Sequence, residues 1–211
     1  MALAATHIKF ALDVVDIYDI KNISTYLAGT MYPDSRYISG IAREKTHFEG
    51  LLSKEFLTTD FKKGWSVHFL CDKIQNKLFH TIFPDCLEGV EHGGWKSDWW
   101  IRVSALKGLQ EIFIINDFDI QKYLPLLNYV ENPNNERPED IQKFNQINQN
   151  IYKNKKNVTP KDVVNLWVEL GVENKLVLLI EEKVNTYLNN PDVVNRMKKV
   201  FQEMTSACKS I

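Results

Sequence analysis

The segment Gly64-Trp65-Ser66-Val67-His68-Phe69-Leu70-Cys71-Asp72 sets an imidazole and a carboxylate one helical turn apart inside an apolar run. Side chains at i and i+4 share one face of a helix, so both groups point into the same small volume. Its apolar neighbours put that volume in the interior, where an unmatched imidazole or carboxylate is costly. A divalent cation matches both at once. A chain built around such a helix must close other elements over it and bring further polar partners with them. His7, Asp34 and His47 are ligand-type residues in the same half of the chain that can serve.

Balanced charge narrows the function classes. Lys+Arg number 26 against 27 Asp+Glu, a net charge of -1, so no bulk electrostatic case exists for nucleic acid or an anionic membrane. With 211 residues, 44% of them hydrophobic, the chain has enough material for one substantial core. Cys71, Cys86 and Cys208 are an odd number without a CxxC pair, which excludes a disulfide framework and a thiolate zinc site. Free thiols fit a reducing compartment. Met1 to His7 carries no basic, signal-like start, and Leu176-Val177-Leu178-Leu179-Ile180 is far short of the roughly 20 residues of a membrane span. The expectation is a cytoplasmic protein with no transmembrane segment.

The apolar periodicity is helical nearly throughout. Ile8, Leu12, Val15 and Ile17/Tyr18 stripe a first helix, and Ala28 to Asp34, with its glycine and proline, reads as a loop that breaks the helical pattern. A short segment over 38–52 leads to a helix over 61–79 that carries the opening motif. Further helices are expected over 102–115 and 120–130, with Pro125 bending or delimiting the second. Residues 131–159 form a polar surface connection, interrupted by a helix over 138–152. Thr159-Pro160 is a helix start, with threonine as N-cap and proline at the first position. Helices then run over 160–170, 174–189 and 191–210. The organisation expected is a single all-α domain over 1–211, a multi-helix bundle. Residues 1–130 form its metal-site half, 131–159 its polar connection and 160–211 its C-terminal helices.

Read in order, the ligand-type residues stand in Thr6-His7, Gly29-Thr30-Met31-Tyr32-Pro33-Asp34, Thr46-His47-Phe48 and Gly64-xxx-His68-xxx-Asp72. In that order and combination, over about the first 80 residues, the chain resembles the zinc-dependent phospholipase C family, whose all-α fold also underlies single-strand-specific zinc nucleases. The resemblance implies one complete four-ligand metal site on Asp34, His47, His68 and Asp72. It also implies that His7 binds a neighbouring metal and shares Asp72 with the first. Two imidazoles with two carboxylates suit Zn, and Mn or Fe as well. A carboxylate has an oxygen for each of two cations, and an aspartate after Tyr-Pro sits on a rigid turn.

The chain departs from the family pattern further on. No histidine has glutamate at i+4; Glu88 and His92 are the reverse pair, among glycines, and His80 is the other spare histidine. The N-terminal tryptophan of the secreted enzymes is also absent. The expected centre is therefore reduced from three metals to one or two ions.

Arg36 and Arg43, with Lys45, flank two proposed ligands and are candidates to neutralise a substrate phosphate. Trp95, Trp99 and Trp100 are expected to pack in the core or wall a pocket, and Cys71 to face the core. The activity expected is a metal-dependent phosphoric ester hydrolase, phosphodiesterase or phospholipase C-like, acting on a small phosphate-ester substrate. The resemblance implies that Asp34 acts as ligand and proton acceptor, and Arg36 or Arg43 is the candidate phosphoryl stabiliser. An HD-type phosphohydrolase is the nearest enzyme alternative, although the chain has no His-Asp dipeptide. A non-catalytic helical module braced by a structural metal is the alternative from another class.

Overall fold

The computed structural model of the chain describes residues 3–91, 93–94 and 96–209. The architecture is all-α, with no strand among the described residues. In chain order the helices are α1 (Ala4–Asp13), α2 (Ile23–Met31), α3 (Arg36–Ser39), α4 (Arg43–Thr46), α5 (Asp60–Ile82) and α6 (Pro84–Leu87). They continue with α7 (Asp98–Asp117), α8 (Pro138–Tyr152), α9 (Pro160–Glu169), α10 (Asn174–Leu188) and α11 (Pro191–Lys209). No helix among the described residues is long and apolar enough to cross a membrane.

The long helices start where side chains supply the acceptors that a first turn lacks. Thr59 caps α5, Ser97 caps α7, and Thr159 with Asp162 forms a reciprocal capping box on α9, with Pro160 at its first position. One buried apolar cluster runs from Ile8 and Phe10 of α1 through Val67 and Leu70 of α5 and Leu106 and Leu109 of α7. It continues to Trp167 of α9, Ile180 of α10 and Val200 and Met204 of α11. A second, smaller cluster packs Tyr32, Phe61 and Trp65 with Leu51 and Ile141.

Two expectations are corrected around α2. Ala28 to Met31 is not a break but the last turn of a helix, which continues as a 3-10 turn over Tyr32–Ser35. Gly29 is there for close approach: a Cβ on it would lie 1.9 Å from the Phe61 carbonyl oxygen. Gly64 is its counterpart on α5, where a Cβ would lie 1.9 Å from the Tyr26 carbonyl oxygen. The two helices therefore cross backbone to backbone. Downstream, the polar connection is not purely a surface stretch. Glu136 is buried, accepts hydrogen bonds from the Tyr32 hydroxyl and from the Asn134 N–H (3.0 Å), and so ties the connection to the Tyr32–Ser35 turn.

Other boundaries shift for local reasons. The first helix ends at Asp13, and Val15–Ile17 is a separate 3-10 turn. The stretch over 120–130 is two 3-10 turns, Ile120–Lys122 and Leu124–Asn128; Pro125 lacks the N–H that would bond the Gln121 carbonyl, so the first turn cannot run on into the second as an α-helix.

Candidate metal centre

Four elements converge on one buried volume. α1 brings His7, the 3-10 turn after α2 brings Asp34, the residue after α4 is His47, and α5 brings His68 and Asp72. His7, Asp34, His68 and Asp72 are each at most 3% exposed. All five predicted ligands are thus brought together. Nε2 of His47 lies 3.2 Å from Nε2 of His68 and 3.6 Å from Oδ2 of Asp72. His68 Nε2 is 3.9 Å from Asp72 Oδ2 and 4.0 Å from Asp34 Oδ2. His7 Nε2 stands 3.9 Å from both Asp34 Oδ2 and Asp72 Oδ1, and its ring stacks on that of His68 at 3.8 Å between centroids.

The segments that carry His7 and His47 are each held by an identifiable contact. The N-cap of α1 is Leu3, whose side chain cannot cap it, and Glu111 of α7 takes over that role. The Glu111 carboxylate accepts from Ala5 N–H (2.7 Å), Thr6 N–H (2.9 Å) and the Thr6 hydroxyl (2.7 Å), and from the Tyr152 hydroxyl (2.6 Å). His7 follows one residue later. Beyond α4, the Trp65 indole N–H donates to the Thr46 carbonyl (2.7 Å), which pins the segment carrying His47 against α5.

Hydrogen bonding at the far nitrogens sets the tautomers. His68 Nδ1 faces the Thr30 carbonyl at 2.8 Å, and a carbonyl can only accept, so Nδ1 carries the proton. The Thr46 hydroxyl lies 3.1 Å from the Arg43 carbonyl and 2.8 Å from His47 Nδ1, and the His47 tautomer that donates to it from Nδ1 is the one that frees Nε2. Burial, the largest influence on each ring, lowers the pKa of His68 to about 4 and also lowers those of His47 and His7, so the imidazoles are neutral at pH 7. For Asp72 burial pushes upward, while Lys107, the His47 ring and the His68 ring are among the groups that draw the carboxyl well below its usual range.

Two neutral imidazoles protonated at Nδ1 present bare Nε2 lone pairs to each other at 3.2 Å. No hydrogen bond can join two acceptors, whereas a cation between them is bound by both. Four ligand atoms at about 2.0–2.1 Å from a tetrahedral Zn2+ stand about 3.3–3.4 Å apart. The observed separations of 3.2 to 4.0 Å bracket that value. Both ring nitrogens of His7 and Oδ1 of Asp34 are buried without a hydrogen-bond partner. Two overlapping groups meet the geometry of an ion site, His47–His68–Asp72 and His7–Asp34–His68, and they share His68. The residues fit a divalent metal.

Arg36 and Arg43 line a neighbouring cavity of about 520 Å³, together with Tyr37, Trp99, Trp100 and Lys107. Neither arginine has a carboxylate within 4.0 Å among the described residues. Lys45 is exposed and is not part of that lining. The half-buried Trp99 and Trp100 pack against the core and form the cavity wall at once. Cys71 is fully buried in the core, as its helical position predicts. His80 is exposed and stacks on Trp99, outside the cluster. His92 and Trp95 lie outside the described residues.

Lys107 and Glu111 escaped the sequence reading. Lys107 Nζ is 3.7 Å from Asp72 Oδ1, and the residue is 4% exposed. The available signal was a charged pair at i, i+4 within Val103-Ser104-Ala105-Leu106-Lys107-Gly108-Leu109-Gln110-Glu111, a stretch otherwise rich in small and apolar residues. The chain was compared with models of protein families, with curated proteins and with solved structures, and none of them matches it.

Proposed function

We propose that this chain is a metal-dependent hydrolase of phosphate esters that uses a metal-activated water. The observation that carries the reading is the pair of bare Nε2 atoms of His47 and His68, 3.2 Å apart and accompanied by Asp34 and Asp72. The order of the ligand residues, similar to that in the zinc-dependent phospholipase C family, supports it, as does the arginine-lined cavity alongside.

His47, His68 and Asp72 would hold the ion, with Asp34 and His7 beside them. A bound Zn2+, Mn2+ or Fe2+ supplies Lewis acidity and lowers the pKa of a coordinated water from 15.7 toward about 7. Asp34 Oδ1, buried and without a hydrogen-bond partner, accepts the proton of the attacking water. Arg36 and Arg43 draw the phosphoryl oxygens toward the centre and stabilise the charge that builds on them. Stacking on the Tyr37 ring, 4.1 Å from the guanidinium carbon, holds Arg36 in place.

The near-complete burial of the ligands favours a second reading, a metal that only braces the helices. Elemental analysis beside a generic phosphodiester assay separates the two. The hydrolase reading expects stoichiometric metal and turnover, both lost in His68→Ala and Asp72→Ala. Metal without turnover leaves the bracing role, and wild-type protein with no stoichiometric metal at neutral pH overturns both.

A further inference from the structure

Asp72 divides its two oxygens between different partners. Oδ2 faces His47 at 3.6 Å and His68 at 3.9 Å, while Oδ1 faces His7 at 3.9 Å and the Lys107 ammonium at 3.7 Å. A second metal bridged through Asp72 would have to approach Oδ1, where a buried cation already stands. The same lysine lines the 520 Å³ cavity, which makes it a wall common to the ion cluster and the open pocket.

The charged side chains around that cavity are all cationic: Arg36, Arg43 and Lys107, with no Asp or Glu in its described lining. Arg36 Nε is buried without a hydrogen-bond partner, an unused donor beside the pocket. Three cations lining one cavity, only Lys107 among them with a carboxylate oxygen beside it, suit an anion, and bidentate guanidinium groups suit a tetrahedral oxyanion. Tryptophans 99, 100 and 167 give the remaining wall an aromatic surface for the rest of the molecule.

We propose that Lys107 stands in place of a second metal. On this assignment the centre holds one ion on the His47–His68–Asp72 side. Lys107, with Arg36 and Arg43, binds the phosphoryl oxygens of a substrate whose ester group lies against the tryptophans. The inference rests on the reading of the cluster as the metal centre of a phosphate-ester hydrolase.

The test uses the full chain and two titrations: Zn2+ into metal-free protein, and inorganic phosphate into protein loaded with Zn2+. Wild type is expected to take up one equivalent of Zn2+ and to bind phosphate. Lys107→Gln is expected to weaken phosphate binding at least tenfold at equal zinc occupancy, and Lys107→Arg to retain it within about threefold. Arg43→Gln, a change at an exposed position, is expected to weaken phosphate binding without altering zinc uptake. Two equivalents in wild type overturn the proposal even if Lys107→Gln fails to fold, and so does a folded Lys107→Gln with unchanged phosphate affinity. One equivalent of zinc with Lys107-dependent phosphate binding but no ester hydrolysis upholds Lys107 and sinks the hydrolase reading. Hydrolysis by protein carrying two zinc ions does the reverse.

Discussion

A single hydroxyl decides how His47 presents itself. With the Thr46 proton on the Arg43 carbonyl, the hydroxyl accepts from His47 Nδ1 and leaves Nε2 free for an ion. Contacts of this kind fix ligand orientation, and their loss typically costs 10- to 100-fold in metal affinity. Thr46→Val should therefore weaken zinc binding about tenfold in a chelator competition, while thermal stability falls by only about 1 kcal/mol. Unchanged affinity would mean that the His47 ring is oriented by something else. Glu111 acts on His7 by a longer route, through the first turn of α1. Its four donors make the carboxylate worth keeping despite burial, which raises its pKa. Glu111→Ala leaves the Tyr152 and Thr6 hydroxyls in the interior without this acceptor, and a loss of about 2–4 kcal/mol in denaturant unfolding is expected.

Helices in this chain carry their own tests. The crossing of α2 and α5 admits no side chain at Gly64, because its Cβ would meet backbone rather than a flexible side chain. Gly64→Ala is expected to destabilise the protein by at least about 3 kcal/mol, despite alanine's better helix propensity. A loss below about 1 kcal/mol in urea unfolding would show that the helices can part. At the start of α9, burial pushes the Asp162 carboxyl upward, but Lys155 and the Thr159 N–H and hydroxyl hold it at about 2. A carboxylate depressed from an unfolded value of about 3.9 stabilises the fold above that value, and the contribution fades as pH falls toward 2. Asp162→Asn should cost about 1 kcal/mol at pH 7 and almost nothing at pH 2, as read by thermal unfolding at both pH values.

At the scale of the whole molecule, the long helices and the five residues of the buried His/Asp cluster were legible in the chain, each for a local reason. Helices with a cap and a sustained apolar face, such as α5 and α9, announce themselves through nearest neighbours in sequence. His68 and Asp72 did so because imidazole and carboxylate on one apolar face demand a partner. What stayed hidden depends on distant segments. Gly29 looked like a helix breaker because the α5 backbone beside it is 32 residues away in the chain. Lys107 and Glu111 looked like ordinary charges because Asp72 and the start of α1, which they serve, arrive only through packing. Glu136 looked like part of a polar linker until its bond to Tyr32 was visible.

The crossing at Gly29 also sets a phase. Thr30, the next residue, spends its carbonyl on His68, and Asp34 follows within one further turn. One residue of helix turns the chain by about 100°. A single alanine inserted between Met31 and Tyr32 would leave Gly29 seated on α5 and Thr30 bonded to His68, yet swing Asp34 away from His7. Such an insertion should leave a folded protein by circular dichroism that has lost most of its zinc affinity. The same insertion between Gly64 and His68 would put the glycine contact and the ligand pair out of step on α5, and neither could be kept without giving up the other. In this region the spacing of the residues matters as much as their identity.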